Sequence, residues 1–358
     1  MNINNISHTA IWYDEKQDRV LYIDQTKLPW ELRIRELQSL DDAVRAINNM
    51  EVRGAPLIGV AAAFGMWLAY GEGVDPGEAA KMLTSTRPTA INLQWSVNKM
   101  IEGIDSVNTL KDKQNLTGSS HVLKAALEIR SSEIAGCRSI GEYGLPLIEE
   151  IAGRKNGEPV NILTHCNAGW LACVEWGTAT APIYMAHDKG ILVHVWVDET
   201  RPRNQGAKLT TYELGAHGVP YTLITDNTGG HLMQNGMVDM VIVGTDRVAA
   251  NGDVANKIGT YLKALAAKDN NVPFYVAMPY SSYDPDTPSG GNIPIEERSG
   301  EEVRMVDGCQ MSDVSNQSSV INISIVPDNT PVANYGFDNT PARLISGYIT
   351  ENGIKTIL

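Results

Sequence analysis

The chain has 358 residues, enough for two domains at roughly 150 residues each. Hydrophobic residues make up 43% and charged residues 20%, which gives a large core and excludes wholesale disorder. Lys and Arg total 29 against 42 Asp and Glu, a net charge of −13; with no basic run in the chain, a nucleic-acid partner is not expected.

Residues 1–10 are polar and lack the apolar segment of a secretory signal. The longest apolar stretch, residues 57–70, is broken by Gly59 and Gly65 and is too short to span a bilayer, so no membrane partner is expected. Four cysteines, Cys137, Cys166, Cys173 and Cys309, form no CxxC pair, which points to reduced thiols in a cytoplasmic protein.

Residues 11–13 and 20–23 are apolar runs flanking a charged stretch and predict a hairpin. Ser39, with Asp42 three residues on and Leu40, Ala43, Val44 and Ile47 at helical spacing, predicts an N-capped helix. Arg53-Gly54-Ala55-Pro56 then leads into an apolar run, predicting a buried helix from about Pro56. Further helices are predicted over 92–104 and 119–150, the second interrupted by its glycines and linking the two parts of the chain. From about residue 126 the pattern changes. Short β-branched runs at 160–163, 191–197, 221–224, 240–243 and 274–277 start about 20–35 residues apart, with helical segments such as 177–189 and 256–268 between them. The expectation is an α/β chain: an N-terminal hairpin-plus-helical domain over 1–125 and a Rossmann-like parallel-sheet domain over 126–358. The polar stretch 311–319 is expected to be a loop.

In such sheets ligands bind beyond the carboxyl ends of the strands. Those positions hold Thr164-His165-Cys166-Asn167-Ala168-Gly169, then Asp198-Glu199-Thr200-Arg201-Pro202 with Gln205, then Asp226-Asn227, then Gly244-Thr245-Asp246-Arg247. Each has a plain structural alternative. A strand-end cysteine is commonly a small buried hydrophobe. His165 is better suited to structural hydrogen bonding than to acting as a base. Asp198 and Glu199 suit a helix cap or an ion pair with Arg201, and Asp246 and Asp226 a cap. A second group suits an anion. Arg53-Gly54-Ala55 offers a guanidinium beside free N–H groups at a helix start, Arg87 precedes Pro88 in a loop, and Asn256-Lys257 stands near an expected helix start. GxGxxG and GxxxxGK[ST] motifs are absent, as is metal-ligand spacing, so neither a dinucleotide, a P-loop nor a metal is expected.

These segments together resemble the methylthioribose-1-phosphate isomerase family, within the superfamily of the translation-initiation exchange-factor regulatory subunits. The resemblance runs from Arg53-Gly54-Ala55-Pro56 and Arg87-Pro88-Thr89-Ala90, through the strand-end motifs, to Ala250-Asn251-Gly252-Asp253, Asn256-Lys257, Ile293-Pro294-Ile295-Glu296-Glu297-Arg298 and Phe337-Asp338. It implies an aldose–ketose isomerisation of a ribose 1-phosphate carrying a methylthio group or a plain methyl at C5. Cys166 and Asp246 are then the catalytic pair, and Arg53, Gly54, Ala55, Arg87, Gln205, Asn256 and Lys257 bind the substrate. It further implies a homodimer with no metal and no organic cofactor. A ribose 1,5-bisphosphate isomerase and a non-catalytic sugar-phosphate or nucleotide sensor are the alternatives. The chain departs from the family pattern at Thr245, at Arg203-Asn204, over 280–291 and over 311–319, all flanking the expected site.

Overall fold

The computed structural model describes residues 2–3, 6–110, 118–311 and 318–356. The hairpin β1 (Ile11–Asp14) and β2 (Arg19–Ile23) is present, and a third antiparallel strand, β3 (Ile34–Leu37), pairs with β2. Ser39 caps α1 (Leu40–Asn48) by accepting from the Asp42 N–H. Helix α2 (Ala55–Glu72) is buried on nearly every face because it is apolar all round; α1, α3 (Pro76–Thr84), α4 (Ile91–Leu110) and α5 (Gly118–Arg154) pack about it.

Helix α5 corrects one expectation. It runs unbroken for 37 residues, straight through its glycines and Pro146. The reason is packing. A Cβ at Gly141 would lie 2.7 Å from the Met185 side chain and one at Gly144 2.9 Å from Pro182, so these glycines let α7 (Ala181–Asp188) lie directly against α5.

The second part carries the expected doubly wound sheet. Its strands are β4 (Val160–Thr164), β5 (Val193–Asp198), β6 (Tyr221–Ile224), β7 (Met240–Val243) and, further on, Phe274–Ala277 and Gly347–Thr350. All pair in parallel, and antiparallel Gly353–Lys355 adds a seventh, edge strand. Counting the parallel strands in chain order, the sheet reads 3-2-1-4-5-6, and the order reverses between β4 and β7. Of the two strands at this reversal, β7 is apolar and buried at every residue, as a strand covered on both faces requires.

A second sheet was not anticipated. Strands β8 (Arg247–Ala249) and β9 (Val254–Lys257) form a hairpin, with Tyr283–Asp284 and Phe337–Thr340 on its flanks. Asn256 and Lys257 therefore end a buried strand instead of opening a helix, and the helix that follows begins only at Thr260 (Thr260–Asp269). The turn residues Asn251-Gly252 carry this hairpin, with Gly252 at φ +85° and the Asn251 side chain accepting from the Asp253 N–H. Met311 and Ser318–Ser319 of the expected polar loop lie in a long antiparallel ribbon, Met305–Met311 with Ser318–Ser324; residues 312–317 lie outside the described ones.

Candidate active site

The chain reversal between β4 and β7 sets the site. Two strands that leave a sheet toward opposite neighbours open a crevice at their carboxyl ends. Cys166 follows β4 by two residues and Asp246 follows β7 by three. Both line one cleft of about 610 Å³. Arg53, Gly54 and Ala55 reach it from the start of α2, Arg87 from the loop before α4, and Gln205 from beyond β5. Asn256 and Lys257 reach it from β9. All nine residues named from the sequence share this one wall, although they are drawn from six separate segments.

Local structure explains how each is held. Cys166 sits at φ +64°, a left-handed conformation costly to a residue with a Cβ. It is pinned from both sides: its N–H donates to Thr200 Oγ1 at 2.8 Å, and its carbonyl accepts from Thr210 Oγ1 at 2.7 Å. Gly54 stands at φ +96°, and any Cβ there would come within 2.6 Å of Ala172, so only glycine fits. Arg53 is held flat against the Cys166 loop, donating Nη1 to Asn167 Oδ1 at 2.5 Å and Nη2 to the Asn167 carbonyl at 2.7 Å. The Gln205 Oε1 is buried and has no hydrogen-bond partner among the described residues, so a donor from a ligand would satisfy it.

The electrostatics are dominated by buried cations. Arg53, Arg87 and Lys257 are each no more than 9% exposed. Burial holds the Lys257 ammonium down to about 8, with Arg298 and Arg87 adding to the effect and the fields of Cys166 and Asp246 opposing it. Lys257 Nζ donates to the Gly336 carbonyl at 2.9 Å and lies 4.5 Å from the Phe337 ring centroid. Burial pushes the Asp246 carboxyl above its ordinary range; Lys257, Arg87 and Arg53 pull it the other way, and Glu296 adds to the rise. A carboxyl so placed retains a proton to higher pH than a solvated one.

The helix after Gly169, α6 (Trp170–Cys173), is a single turn, and its first two N–H groups donate to Glu213 and not to Cys166. Two expectations for the carboxylates change. Asp198 caps nothing and does not pair with Arg201. Its Oδ2 lies 2.8 Å from His165 Nδ1 and 3.2 Å from Lys263 Nζ. Asp226 accepts the Thr200 and Arg201 N–H groups, both at 2.8 Å. His165 is the structural hydrogen-bonder expected, its Nε2 donating to the Ile258 carbonyl at 2.9 Å. His165, Asp198 and Asp226 bring one ligand atom each within 4.8 Å of one another, with the Lys263 ammonium already 3.2 Å from Asp198 Oδ2. Arg298, Phe337 and Met50 also line the cleft. Arg298 and Phe337 stand in motifs that carry the resemblance yet had no role assigned, and nothing local distinguishes Met50 from any helix-end residue.

A profile of the initiation factor 2 subunit family matches residues 51–356. The chain belongs to that family. It is 54% identical over 358 residues to the methylthioribose-1-phosphate isomerase of Rhodospirillum centenum, covering 99% of this chain and 92% of that protein. Two solved structures superpose on it with TM-score 0.77 at 36% identity. One is the 5-methylthioribose 1-phosphate isomerase from Pyrococcus horikoshii OT3, covering 99% of this chain and 96% of that one. The other is translation initiation factor eIF-2B, subunit delta, from A. fulgidus, covering 97% and 96%. The fold is thus shared by relatives bearing two different names, and what separates them must be sought in the side chains of the cleft.

Proposed function

We propose that this chain is an aldose–ketose isomerase acting on 5-methylthioribose 1-phosphate. The observation that carries the reading is the placement of Cys166 and Asp246 just beyond the two strands flanking the sheet reversal, in one cleft with three buried cations. The relatives at half identity or more bearing this name support the substrate class.

The phosphate on the anomeric oxygen prevents the sugar from opening as a free hemiacetal. Asp246, whose hold on a proton burial strengthens, gives that proton to the ring oxygen as the bond from that oxygen to C1 breaks. Hydrogen then passes from C2 to C1 and the C2 hydroxyl returns a proton to the Asp246 carboxylate, leaving a ketone at C2 and a hydroxyl on C4. In the proton route Cys166 as thiolate takes hydrogen from C2 to form an enediol and returns it to C1. In the hydride route hydrogen moves directly and the thiolate steadies the cationic centre. Arg53, Arg87 and Lys257 bind the phosphate, with Gly54, Ala55, Gln205 and Asn256 orienting the sugar.

The test is kcat/KM on 5-methylthioribose 1-phosphate, 5-deoxyribose 1-phosphate and ribose 1,5-bisphosphate. The first two react. The third does not, because the cations beside the cleft that would meet a second phosphate are already paired, Arg203 with Glu302 at 3.0 Å and Lys208 with Asp307. Separate C166S and D246N variants each lose about 10²–10⁴-fold in kcat with folding intact. A near-normal rate in either removes that residue from the mechanism. Solvent deuterium at C1 of the product marks the proton route. If all three substrates are inert but sugar phosphates bind, the chain is a sensor of the kind the shared fold allows. The family resemblance also carries a cytoplasmic homodimer; light scattering on the purified chain checks the dimer.

A further inference from the structure

Glu213 lies on α8 (Thr211–His217), eight residues beyond Gln205, and is buried to 1% exposure. Among the described residues, every group hydrogen-bonded to its carboxylate is a donor. Oε1 accepts from Asn167 Nδ2 at 3.1 Å and from the Leu171 N–H at 2.8 Å. Oε2 accepts from the Trp170 N–H at 3.1 Å and from the Tyr184 hydroxyl at 3.1 Å. The loop after β4 closes so tightly round this group that a Cβ at Gly169 would lie 1.5 Å from Oε2.

We propose that Glu213 is a positioning residue of the active site, which through Asn167 orients the guanidinium of Arg53 and through the 166–171 loop holds the thiol of Cys166. The Asn167 amide is the relay. Its Nδ2 faces the carboxylate and Thr210 Oγ1, so its Oδ1 must face Arg53 Nη1. Thr210 in turn donates to the Cys166 carbonyl, so one buried cluster sets both the anion-binding arginine and the strained thiol residue. Only an acceptor with both oxygens free serves here. Glutamine offers one oxygen and one NH2. With the NH2 toward Asn167 and Leu171, it opposes an N–H and turns the Asn167 amide over, aiming Nδ2 at Arg53. With the NH2 toward Trp170 and Tyr184, it opposes the first N–H of α6. Either way the loop loses its arrangement. Y184F, by contrast, removes one donor and reverses no polarity.

The experiment compares wild type, E213Q and Y184F in three readouts: alkylation of Cys166 by iodoacetamide, followed on the Cys166 peptide; protection of that thiol by inorganic phosphate; and kcat and KM on 5-methylthioribose 1-phosphate. In E213Q, Cys166 alkylation quickens at least about fivefold, and the half-protecting phosphate concentration and KM each rise about tenfold, the effect of about 1.4 kcal/mol of lost binding. Y184F stays within about twofold of wild type in each. Two results overturn the proposal: a folded E213Q with wild-type alkylation and phosphate protection, or a Y184F as impaired as E213Q, which reduces Glu213 to packing. Should E213Q fail to fold, N167A decides, since it leaves Glu213 three donors: the same tenfold loss of phosphate protection is expected, and an unchanged value refutes the relay. The turnover readout rests on the isomerase reading. If wild type does not turn over the substrate, that reading fails, while the alkylation and phosphate readouts still judge Glu213.

Discussion

Lys257 shows how a single residue's surroundings set its working range. It is 4% exposed and held down to about 8, so its positive charge is present below that pH and fades above it. KM for the sugar phosphate should therefore climb between pH 7.5 and 9, while K257R, charged throughout, should give a weaker but flatter profile. A KM that stays level in wild type over that range removes Lys257 from phosphate binding. Gly54 is set by shape instead of charge. In G54A the new methyl meets Ala172 and the backbone must leave φ +96°, so soluble yield and Tm fall along with activity. At this scale the sequence was legible wherever chemistry repeats a pattern: an arginine before a helix start, a thiol or acid after an apolar strand. Glu213 was not legible. On a short helix beside Leu214 it is indistinguishable from a solvated surface glutamate, because three of the four donors that meet it come from a loop over 40 residues away in the chain and the fourth, Tyr184, from α7.

The elements divide by how local their causes are. The Ser39 cap, the hairpin and the apolar α2 were readable because capping groups, turn residues and periodicity act within one or two turns. The parallel strands were readable from β-branched runs between helices. What failed did so through contacts made at a distance. Glycine in α5 looks like interruption when α7 is out of view, and is a contact surface when it is in view. That distinction is measurable: G144V forces two methyls toward Pro182 and should cost about 1–3 kcal/mol in urea denaturation, whereas substitution at Gly153, which has open space around it, should cost nothing of that kind. Equal destabilisation at both positions would show that helix propensity, not packing against α7, governs the segment. Placing Asn256-Lys257 at a helix start failed for a related reason: β9 is sandwiched between β8 and Phe337–Thr340, and the latter lies about 80 residues further along the chain.

Across the whole molecule, a buried carboxyl makes stability depend on pH. Burial pushes Glu133 up to about 7 from an ordinary 4.5, with the Ser281 hydroxyl opposing the shift and Glu351 adding to it. It is therefore protonated in the folded chain at pH values where it is ionised in the unfolded one. Folding takes up a proton between about pH 4.5 and 7. The stabilisation is complete below that window and is lost as pH rises through about 7. Tm should fall from pH 5.5 to pH 8, and E133Q, in which this group cannot ionise, should show a shallower fall. An identical slope in the two proteins would exclude Glu133 as a source. Among the described residues no helix is long and apolar enough to cross a membrane.

The reversal of strand order between β4 and β7 has one more consequence. The sheet builds the cradle, while the thiol and the carboxyl proposed to react stand on two loops just beyond its strands. A receptor could therefore descend from a catalyst, or the reverse, by exchanging two side chains on an unaltered frame. The paired C166S/D246N chain should be such a receptor, still gripping the sugar ester while leaving it intact.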